Sequence, residues 1–416
     1  MTRHRWKTGL VMMALALAVA LLWGPQQVGE AQSDDDVDAF VKHHWRLPVP
    51  PQGDPPDAFS PIEASLHPKE CALCHRQQFN DWKTSLHSRS MGPGIYGQLL
   101  NMQDSNPATY RICATCHTPL SEQIPHVKEG PEYRPNEAFD PELQQAGLVC
   151  AGCHVRQHER FGPPRRPEVP TPPPDVVQPH GGFTATTAFQ RSEFCKPCHQ
   201  FREGAFALNG KLLENTFVEW QASPYAEEGV QCQGCHMPDR RHLWRGIQDP
   251  DMVRQAMTVS ISPLAPSYRP GDTLQATITV TNSGAGHYLP TYVTPKIFVQ
   301  GDLLDAAGET IADSFQEAII GREITLNLSR EVYDTRIAPK ASLDFGYEMA
   351  LPETVATLRV RIVVHPDHFY ERFFRAVLKR DQGSLGKAHL EAALEKTSTS
   401  TFTVLERLIP VPMAGN

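Results

Sequence analysis

The chain has 416 residues, of which 10 are cysteine and 18 are histidine, and its formal net charge at pH 7 is −8. An excess of acidic groups disfavours nucleic acid as a partner and favours a partner protein with a basic docking patch. A chain of this length is long for a single hydrophobic core, so we expect two folded domains.

The first residues have the pattern of an export signal. Basic residues precede an apolar run over residues 10–23, and this run is shorter than the ~20 residues that a membrane-spanning helix needs. Small residues, Gly29 and Ala31, stand at the two positions that a signal peptidase reads. We therefore predict a signal peptide over residues 1–31 and a periplasmic or otherwise exported protein after cleavage near Ala31. The alternative is an uncleaved N-terminal anchor that leaves the protein facing the periplasm.

A five-letter motif, C-x-x-C-H, occurs five times and uses every cysteine of the chain. The cysteines of its five copies are Cys71 and Cys74, Cys113 and Cys116, Cys150 and Cys153, Cys195 and Cys198, and Cys232 and Cys235. A single copy would leave a zinc site, a redox dithiol and haem c attachment open. A zinc ribbon needs no histidine after each cysteine pair, and a thiol oxidoreductase normally has one such pair.

Haem c explains both halves of the motif, because two thiols bond to the porphyrin and the adjoining histidine binds the iron. Export agrees with this interpretation, since haem c is attached outside the cytoplasmic membrane. We therefore predict five covalent haems c. Their proximal ligands are the histidines that end the motifs, His75, His117, His154, His199 and His236.

The second axial ligand decides what each iron can do, because two histidines suit electron transfer and an open position permits chemistry. We predict that the second ligands come from five histidines outside the motifs. These are His87, His180, His242, His287 and His158. His44 is a further candidate for the fifth haem. For each candidate, the competing interpretation is an ordinary surface or packing histidine.

Local sequence supports these candidates in different ways. His87 borders an apolar stripe at helical spacing, and His242 is separated from the fifth motif by a proline, which interrupts a helix. Two glycines follow His180 and would let the backbone approach a flat porphyrin. His158 follows His154 by one turn if the helix continues, so it would serve a neighbouring haem or bond to a propionate.

His287 is a special case, because it belongs to the second half of the chain, in the stretch "NSGAGHYLPT". The small residues Gly284, Ala285 and Gly286 would leave room for a porphyrin edge, and Pro290 would limit the freedom of the loop. We predict that His287 reaches from the second domain to a haem of the first. The alternative is a histidine in a surface turn.

The two halves of the chain differ in texture. The motif-bearing half has short helical stretches, long loops and a proline-rich segment. We expect residues 32–254 to form a mainly α multihaem domain. Beyond it, apolar and polar residues alternate in "TLQATITVTNSG" and "TLRVRIVV". This alternation predicts an antiparallel, immunoglobulin-like β-sandwich over residues 255–416, with two helices and a last strand near the end.

The motif-bearing half resembles the multihaem cytochrome c superfamily. That group includes tetrahaem electron carriers, pentahaem nitrite reductases and hydroxylamine oxidoreductase. The resemblance is carried by "CALCHRQQFNDWKTSLHS", in which Trp82 to His87 match W-x-x-S-x-H, and by "CQGCHMPDRRHLWRG". It implies closely packed haem pairs and distal ligation by His87 and His242. The stretch "GAGHYLPT" is similar to a loop of β-domains fused to such cytochromes.

The catalytic activities of that group do not carry over. Pentahaem nitrite reductases bind their catalytic haem through a lysine, whereas all five motifs here end in histidine. Hydroxylamine oxidoreductase has more haems and a tyrosine cross-link. We therefore expect an exported pentahaem cytochrome that transfers electrons between redox partner proteins. The alternatives are reduction or oxidation of a small nitrogen or sulfur compound at one five-coordinate haem, and docking to a membrane complex through the sandwich.

Overall fold

A computed structural model describes residues 33–173, 175–381 and 383–414. The predicted signal peptide, residues 1–31, lies outside these ranges. Within them, no helix combines the length and the apolar character that crossing a membrane requires. We refer to residues 33–254 as the motif region and to residues 255–414 as the strand region.

The motif region consists of short helices joined by long loops. Its helices are α1 (Asp34–His44), α2 (Pro61–Ala64), α3 (Pro68–Cys71), α4 (Arg76–Trp82), α5 (Pro93–Leu100), α6 (Pro107–His117), α7 (Pro141–Gln145), α8 (Cys150–His154), α9 (Lys196–His199), α10 (Thr216–Gln221), α11 (Pro224–Glu227), α12 (Cys232–His236) and α13 (Pro250–Ala256). Seven of them begin with proline, whose fixed φ suits the first turn and whose missing N–H is not needed there.

Small β-hairpins interrupt these helices. The strands are β1 (His126–Glu129), β2 (Glu132–Pro135), β3 (Val155–Arg156), β4 (Glu159–Gly162), β5 (Thr184–Ala185), β6 (Ala207–Leu208) and β7 (Lys211–Leu212). Single 3₁₀ turns include His87–Arg89 and Pro179–Gly181. The hydrophobic clusters of this region are small, as in the group that contains Trp82, Leu120 and Leu143.

Each motif coincides with a helical turn. The second motif ends α6, the third forms α8, the fifth forms α12, and α9 covers the end of the fourth. The first motif begins at the end of α3, where the backbone N–H of His75 donates to the carbonyl of Cys71 at 2.8 Å. Residues three and four apart share one face of a helical turn. Both thiols and the imidazole of a motif can therefore face one porphyrin.

The strand region contains two antiparallel sheets. Its strands are β8 (Met257–Ile261), β9 (Thr273–Asn282), β10 (Lys296–Asp305), β11 (Gln316–Ile320), β12 (Arg322–Ile324), β13 (Glu331–Asp334), β14 (Ser342–Ala350), β15 (Val355–His365) and β16 (Phe402–Pro410). One sheet has the order β14–β9–β8 and the other has the order β11–β10–β15–β16, while β12 and β13 form a separate hairpin.

Side chains from both sheets form one hydrophobic core, so the sheets pack as a sandwich. Leu274 and Ile278 of β9 and Ile297 and Val360 of the other sheet are all fully buried in it. The predicted alternation is confirmed, since inward residues of β9 are buried and their neighbours are largely exposed. Burial of each large aliphatic side chain stabilises the fold by about 1.5–3 kcal/mol.

The two helices predicted near the end lie between β15 and β16. They are α14 (His368–Leu378) and α15 (Lys387–Ser398), and β16 is the predicted last strand. The aromatic ring of Phe374 in α14 packs directly against Gly94 of α5. The strand region therefore contacts the motif region through its helices as well as its sheets.

Ion pairs join the two regions beside the sandwich. Arg336 donates to the carboxylate of Glu219 in α10 at 2.9 Å, and both side chains are almost fully buried. Lys211 lies 2.6 Å from Asp334 and 2.8 Å from Glu331. Buried charges without partners are costly, so a change that removes one member of these pairs destabilises the contact.

Candidate haem sites

Four of the five motif histidines face a histidine from elsewhere in the chain. The ring-centre distances are 6.5 Å for His75 and His180, 6.2 Å for His199 and His87, 6.2 Å for His154 and His242, and 6.3 Å for His236 and His287. One metal ion bonded to a nitrogen of each ring at ~2 Å requires ring centres roughly 6 Å apart. These four pairs therefore fit the axial ligands of four haem irons.

The hydrogen bonds of the rings also separate ligand from non-ligand histidines. In seven of the nine motif or paired histidines, Nδ1 is at hydrogen-bond distance from an oxygen, for example 2.6 Å from the Arg245 carbonyl in His236. The other six histidines with such a bond are His117, His154, His199, His180, His242 and His287. A hydrogen bond from Nδ1–H to an oxygen fixes the tautomer of the ring and directs Nε2 to a metal.

Burial also favours the neutral form, which binds a metal, in most of these rings. Burial lowers the pKa of His87 to about 3 and the pKa of His154 and His199 to about 4. Burial likewise lowers the pKa of the remaining motif histidines and of two further paired ones. They are His75, His117, His236, His242 and His287.

The structure does not bring His158 to any motif histidine, and the helix assumed for it is wrong. The chain leaves the helical conformation after His154, and β3 and β4 form a tight hairpin in which Gln157 and His158 have φ values of 49° and 61°. The buried His158 ring turns its Nε2 to the carbonyl of Gly53 at 2.9 Å. The nitrogen that a haem iron would need is therefore engaged elsewhere.

His44, the other candidate for the fifth haem, has the same arrangement. Its Nε2 lies 2.8 Å from the carbonyl of Cys153, and its ring stacks on Phe40. Burial, together with the charge of Arg156, lowers its pKa to about 3. His44 is thus a buried packing residue beside the third motif.

The second motif differs from the other four. Among the residues that the structure describes, no second histidine ring faces His117 across the distance seen in the four pairs. Its Nδ1 is nonetheless fixed by the carbonyl of Ser90 at 2.7 Å, as expected for a ligand. Among the described residues, one histidine is therefore placed to face an iron at this site, and two histidines are so placed at each of the other four.

Ser90 is one of the residues that sequence reasoning missed. Its hydroxyl lies 3.0 Å from the carbonyl of His87 and 2.7 Å from that of His117, and it accepts from the backbone N–H of Leu148 at 2.8 Å. One serine thus connects the segments that carry two ligands. A lone serine in a loop has no pattern that would have revealed this role.

A buried carboxylate positions His242. Asp81 of α4 accepts two hydrogen bonds from Arg241, at 2.7 and 2.6 Å, and one from the backbone N–H of His242 at 3.1 Å. These bonds and the charge of Arg241 outweigh burial and lower the pKa of Asp81. The carboxylate therefore stays ionised and anchors the segment that carries the ligand.

Glu63 positions His180 in a similar way. Its carboxylate accepts the backbone N–H of His180 at 2.7 Å, and that bond is the main cause that lowers the pKa of Glu63 to about 2. The two glycines that follow have φ values of 74° and 83° at Gly181 and Gly182. Glycine adopts this left-handed backbone without strain. A Cβ at Gly181 would meet no other atom within 4 Å, so the close approach of a porphyrin there stays a prediction.

The loop of His287 is held by protein contacts on both sides. Asn282, which is fully buried, donates to the carbonyl of His287 at 2.9 Å and accepts from the N–H of Ala285 at 3.0 Å. A side chain at Gly284 would collide with the backbone of Gln255, and one at Gly286 would press on Trp220. The small residues thus make room for neighbouring protein, where we expected a porphyrin edge.

The thiols of different motifs lie close together. Three thiol pairs are close enough for each thiol to shift the pKa of its partner, and these are Cys71 with Cys150, Cys116 with Cys198, and Cys195 with Cys232. Cys153 lies near enough to Cys195 and Cys198 to raise the pKa of both. The fourth motif therefore borders the second, the third and the fifth, and the first borders the third.

Thiol pairs, motif histidines and Nδ1 hydrogen bonds of this kind fit the attachment of several haems c. Residues 70–154 match the family model described as cytochrome c554 and c-prime. A search of curated protein sequences found no match.

A solved structure shares the fold. The crystal structure of a penta-heme cytochrome c552 from Thermochromatium tepidum matches with a TM-score of 0.60 and 17% identity, over 85% of this chain and 100% of that chain. At this identity the likeness shows a shared fold and nothing further. A β-glucosidase from Listeria innocua matches with a TM-score of only 0.18 and 10% identity, over 38% of this chain and 16% of that chain.

Proposed function

We propose that this chain is an exported electron carrier that holds five covalent haems c and exchanges electrons with redox partner proteins. Bound haem would supply one-electron exchange between ferric and ferrous iron. The residues would hold each haem by two thiols and a motif histidine, and four of the irons by a second histidine. The histidine pairs carry this proposal, because two protein ligands leave no position for a substrate.

We further propose an order of electron transfer from the contacts between thiols. The first site would communicate with the third and the third with the fourth, and the fourth would also serve the second and the fifth. The proximity of Cys116 to Cys198 and of Cys195 to Cys232 supports the two links from the fourth site. The site of His199 would then be the central one.

The division into domains belongs to the same proposal. Residues 32–254 would form the haem domain and residues 255–416 an immunoglobulin-like domain. The sheet orders β14–β9–β8 and β11–β10–β15–β16 support this topology, since the immunoglobulin fold also splits antiparallel strands between two such sheets. N-terminal sequencing of the mature protein tests export, and the proposal expects the first residue to be close to Gln32.

The site of His117 favours a second candidate function. With one histidine ligand provided there by the described residues, a small nitrogen or sulfur compound could bind to the other face of that iron. Cys116 of this motif lies near Cys198 of the central fourth site, so reducing equivalents would be available to the second site. This is the enzyme alternative that the sequence left open.

Quantitative electron paramagnetic resonance of the oxidised protein separates the two functions. If the protein is an electron carrier, four of its five haems should be low-spin. The iron of the fifth haem should not react with nitrite or hydroxylamine. A high-spin signal that disappears on addition of one of these compounds, together with its turnover by the reduced protein, would favour the enzyme. Fewer than four low-spin haems in fully loaded protein would contradict the histidine pairing.

A further inference from the structure

One motif histidine, His199, has a hydrogen-bond partner at Nδ1 of a different kind from those of the other ligands. Nδ1 of His199 lies 2.9 Å from the hydroxyl of Tyr292. In the other six histidines whose Nδ1 is engaged, the partner is a backbone carbonyl, as with Phe161 for His154. Tyr292 belongs to the loop between β9 and β10, so the strand region provides this partner to a ligand of the motif region.

The Tyr292 hydroxyl is the acceptor in this contact. When Nε2 of His199 faces a metal, Nδ1 carries the proton and donates to the phenol oxygen. In the segment that follows the fourth motif, the carboxyl group of Glu214 accepts from the hydroxyl of Thr216 at 2.8 Å.

The same two segments are fixed to each other by further bonds. The hydroxyls of Thr216 and Thr291 lie 2.9 Å apart, and Thr291 donates to the carboxylate of Glu219 at 2.7 Å. Glu219 also pairs with Arg336 of the strand region. The hydroxyl of Tyr292 is therefore held in place by its neighbours on both sides of the contact between the regions.

We propose that Tyr292, acting through its hydrogen bond to the His199 ring, lets the strand region lower the reduction potential of the haem held by His199. The proposal rests on the electron-carrier function proposed above. A hydrogen-bond acceptor at Nδ1 makes the imidazole a stronger donor to the iron, which stabilises the ferric state. Because the fourth site borders three others, a change in its potential would affect electron flow through the whole protein.

The test is a spectroelectrochemical titration of the intact, haem-loaded Tyr292→Phe protein. Phenylalanine keeps the ring and removes only the hydroxyl, so one midpoint potential is expected to rise while the others keep their values. Removing a hydrogen-bond partner of a metal ligand commonly changes metal affinity or activity tenfold or more. A tenfold change in the one-electron equilibrium corresponds to a shift of about 59 mV in the midpoint potential. The His87→Ala protein identifies the transition, because it changes the spin state of the same haem.

Tyr225→Phe is the matched control. The Tyr225 hydroxyl also crosses between the regions, donating to the carbonyl of Ser283 at 2.6 Å, but it contacts no ligand histidine. The control should leave all midpoints unchanged. Unchanged midpoints in Tyr292→Phe, or the same rise in Tyr225→Phe, would overturn the proposal. Conversion of the haem to high spin in Tyr292→Phe would also overturn it, because the tyrosine would then hold the ligand in place.

Spin state and potential are measured on the same samples, so the two proposals fail in different ways. If His87→Ala leaves every low-spin haem intact, the histidine pairing is wrong and the proposed function fails. If His87→Ala behaves as expected and Tyr292→Phe has no effect on potential, only the role of Tyr292 fails.

Discussion

Replacing His287 with alanine is the sharpest test of how the two regions are joined. In the structure its ring centre lies 6.3 Å from that of His236, and the ring planes differ by only 10°. Alanine ends at Cβ and provides no nitrogen. In the described part of the chain no other histidine ring faces His236, so one low-spin haem should become high-spin and the other three should be unaffected.

The change should leave the fold and the contact between the regions intact. Asn282 still bonds to the backbone of the loop, and Glu219 still accepts from the backbone N–H of Tyr288 at 3.2 Å and from Arg336. A substitution that removes one buried ring typically lowers the free energy of unfolding by about 1–3 kcal/mol. We therefore expect a stable, haem-loaded protein with an altered spin state.

Electron paramagnetic resonance at low temperature measures the number of low-spin irons, and pyridine haemochrome spectra confirm that all haems are present. His158→Ala is a suitable control, because it also removes a buried ring and a hydrogen bond, to Gly53, without removing a paired ligand. The reasoning is refuted if His287→Ala keeps four low-spin haems. It is equally refuted if His158→Ala loses one.

Three further predictions concern stoichiometry, a ligand anchor and pH. Intact-mass measurement of the mature protein should give five haem additions and no free thiol, and fewer additions would contradict the motif interpretation. Asp81→Ala should release the backbone of His242 and convert part of one haem to high spin, which electron paramagnetic resonance would show. It should also lower the free energy of unfolding by about 1–3 kcal/mol, which urea unfolding would measure. Burial would raise the pKa of Asp334, but hydrogen bonds from Arg336 and Lys211 outweigh it and bring the pKa to about 2. A depressed pKa stabilises the fold above the ordinary value of 3.8, so the wild type should lose up to about 2 kcal/mol more than Asp334→Asn as pH falls from ~4 to ~2.

The sequence determined the chemistry of the sites because that chemistry is local. Two thiols and a histidine within five residues form a complete haem attachment unit on one helical turn, so their identity can be read without a fold. The alternating strands and the two late helices were equally readable, since a periodic apolar pattern reports one buried face. Four of the five predicted distal histidines, including His287, face motif histidines in the structure.

Tertiary structure decided which histidine faces which motif, and it excluded His158. The two members of each pair are far apart in the sequence, so no spacing rule connects them. Whether Nε2 of a ring is left for an iron or is bonded to a carbonyl depends on which ring nitrogen a backbone oxygen lies beside. The carbonyl of Tyr288 lies beside Nδ1 of His287, whereas the carbonyl of Gly53 lies beside Nε2 of His158. Such an oxygen comes from whichever segment packs there, and the sequence around the histidine does not record it.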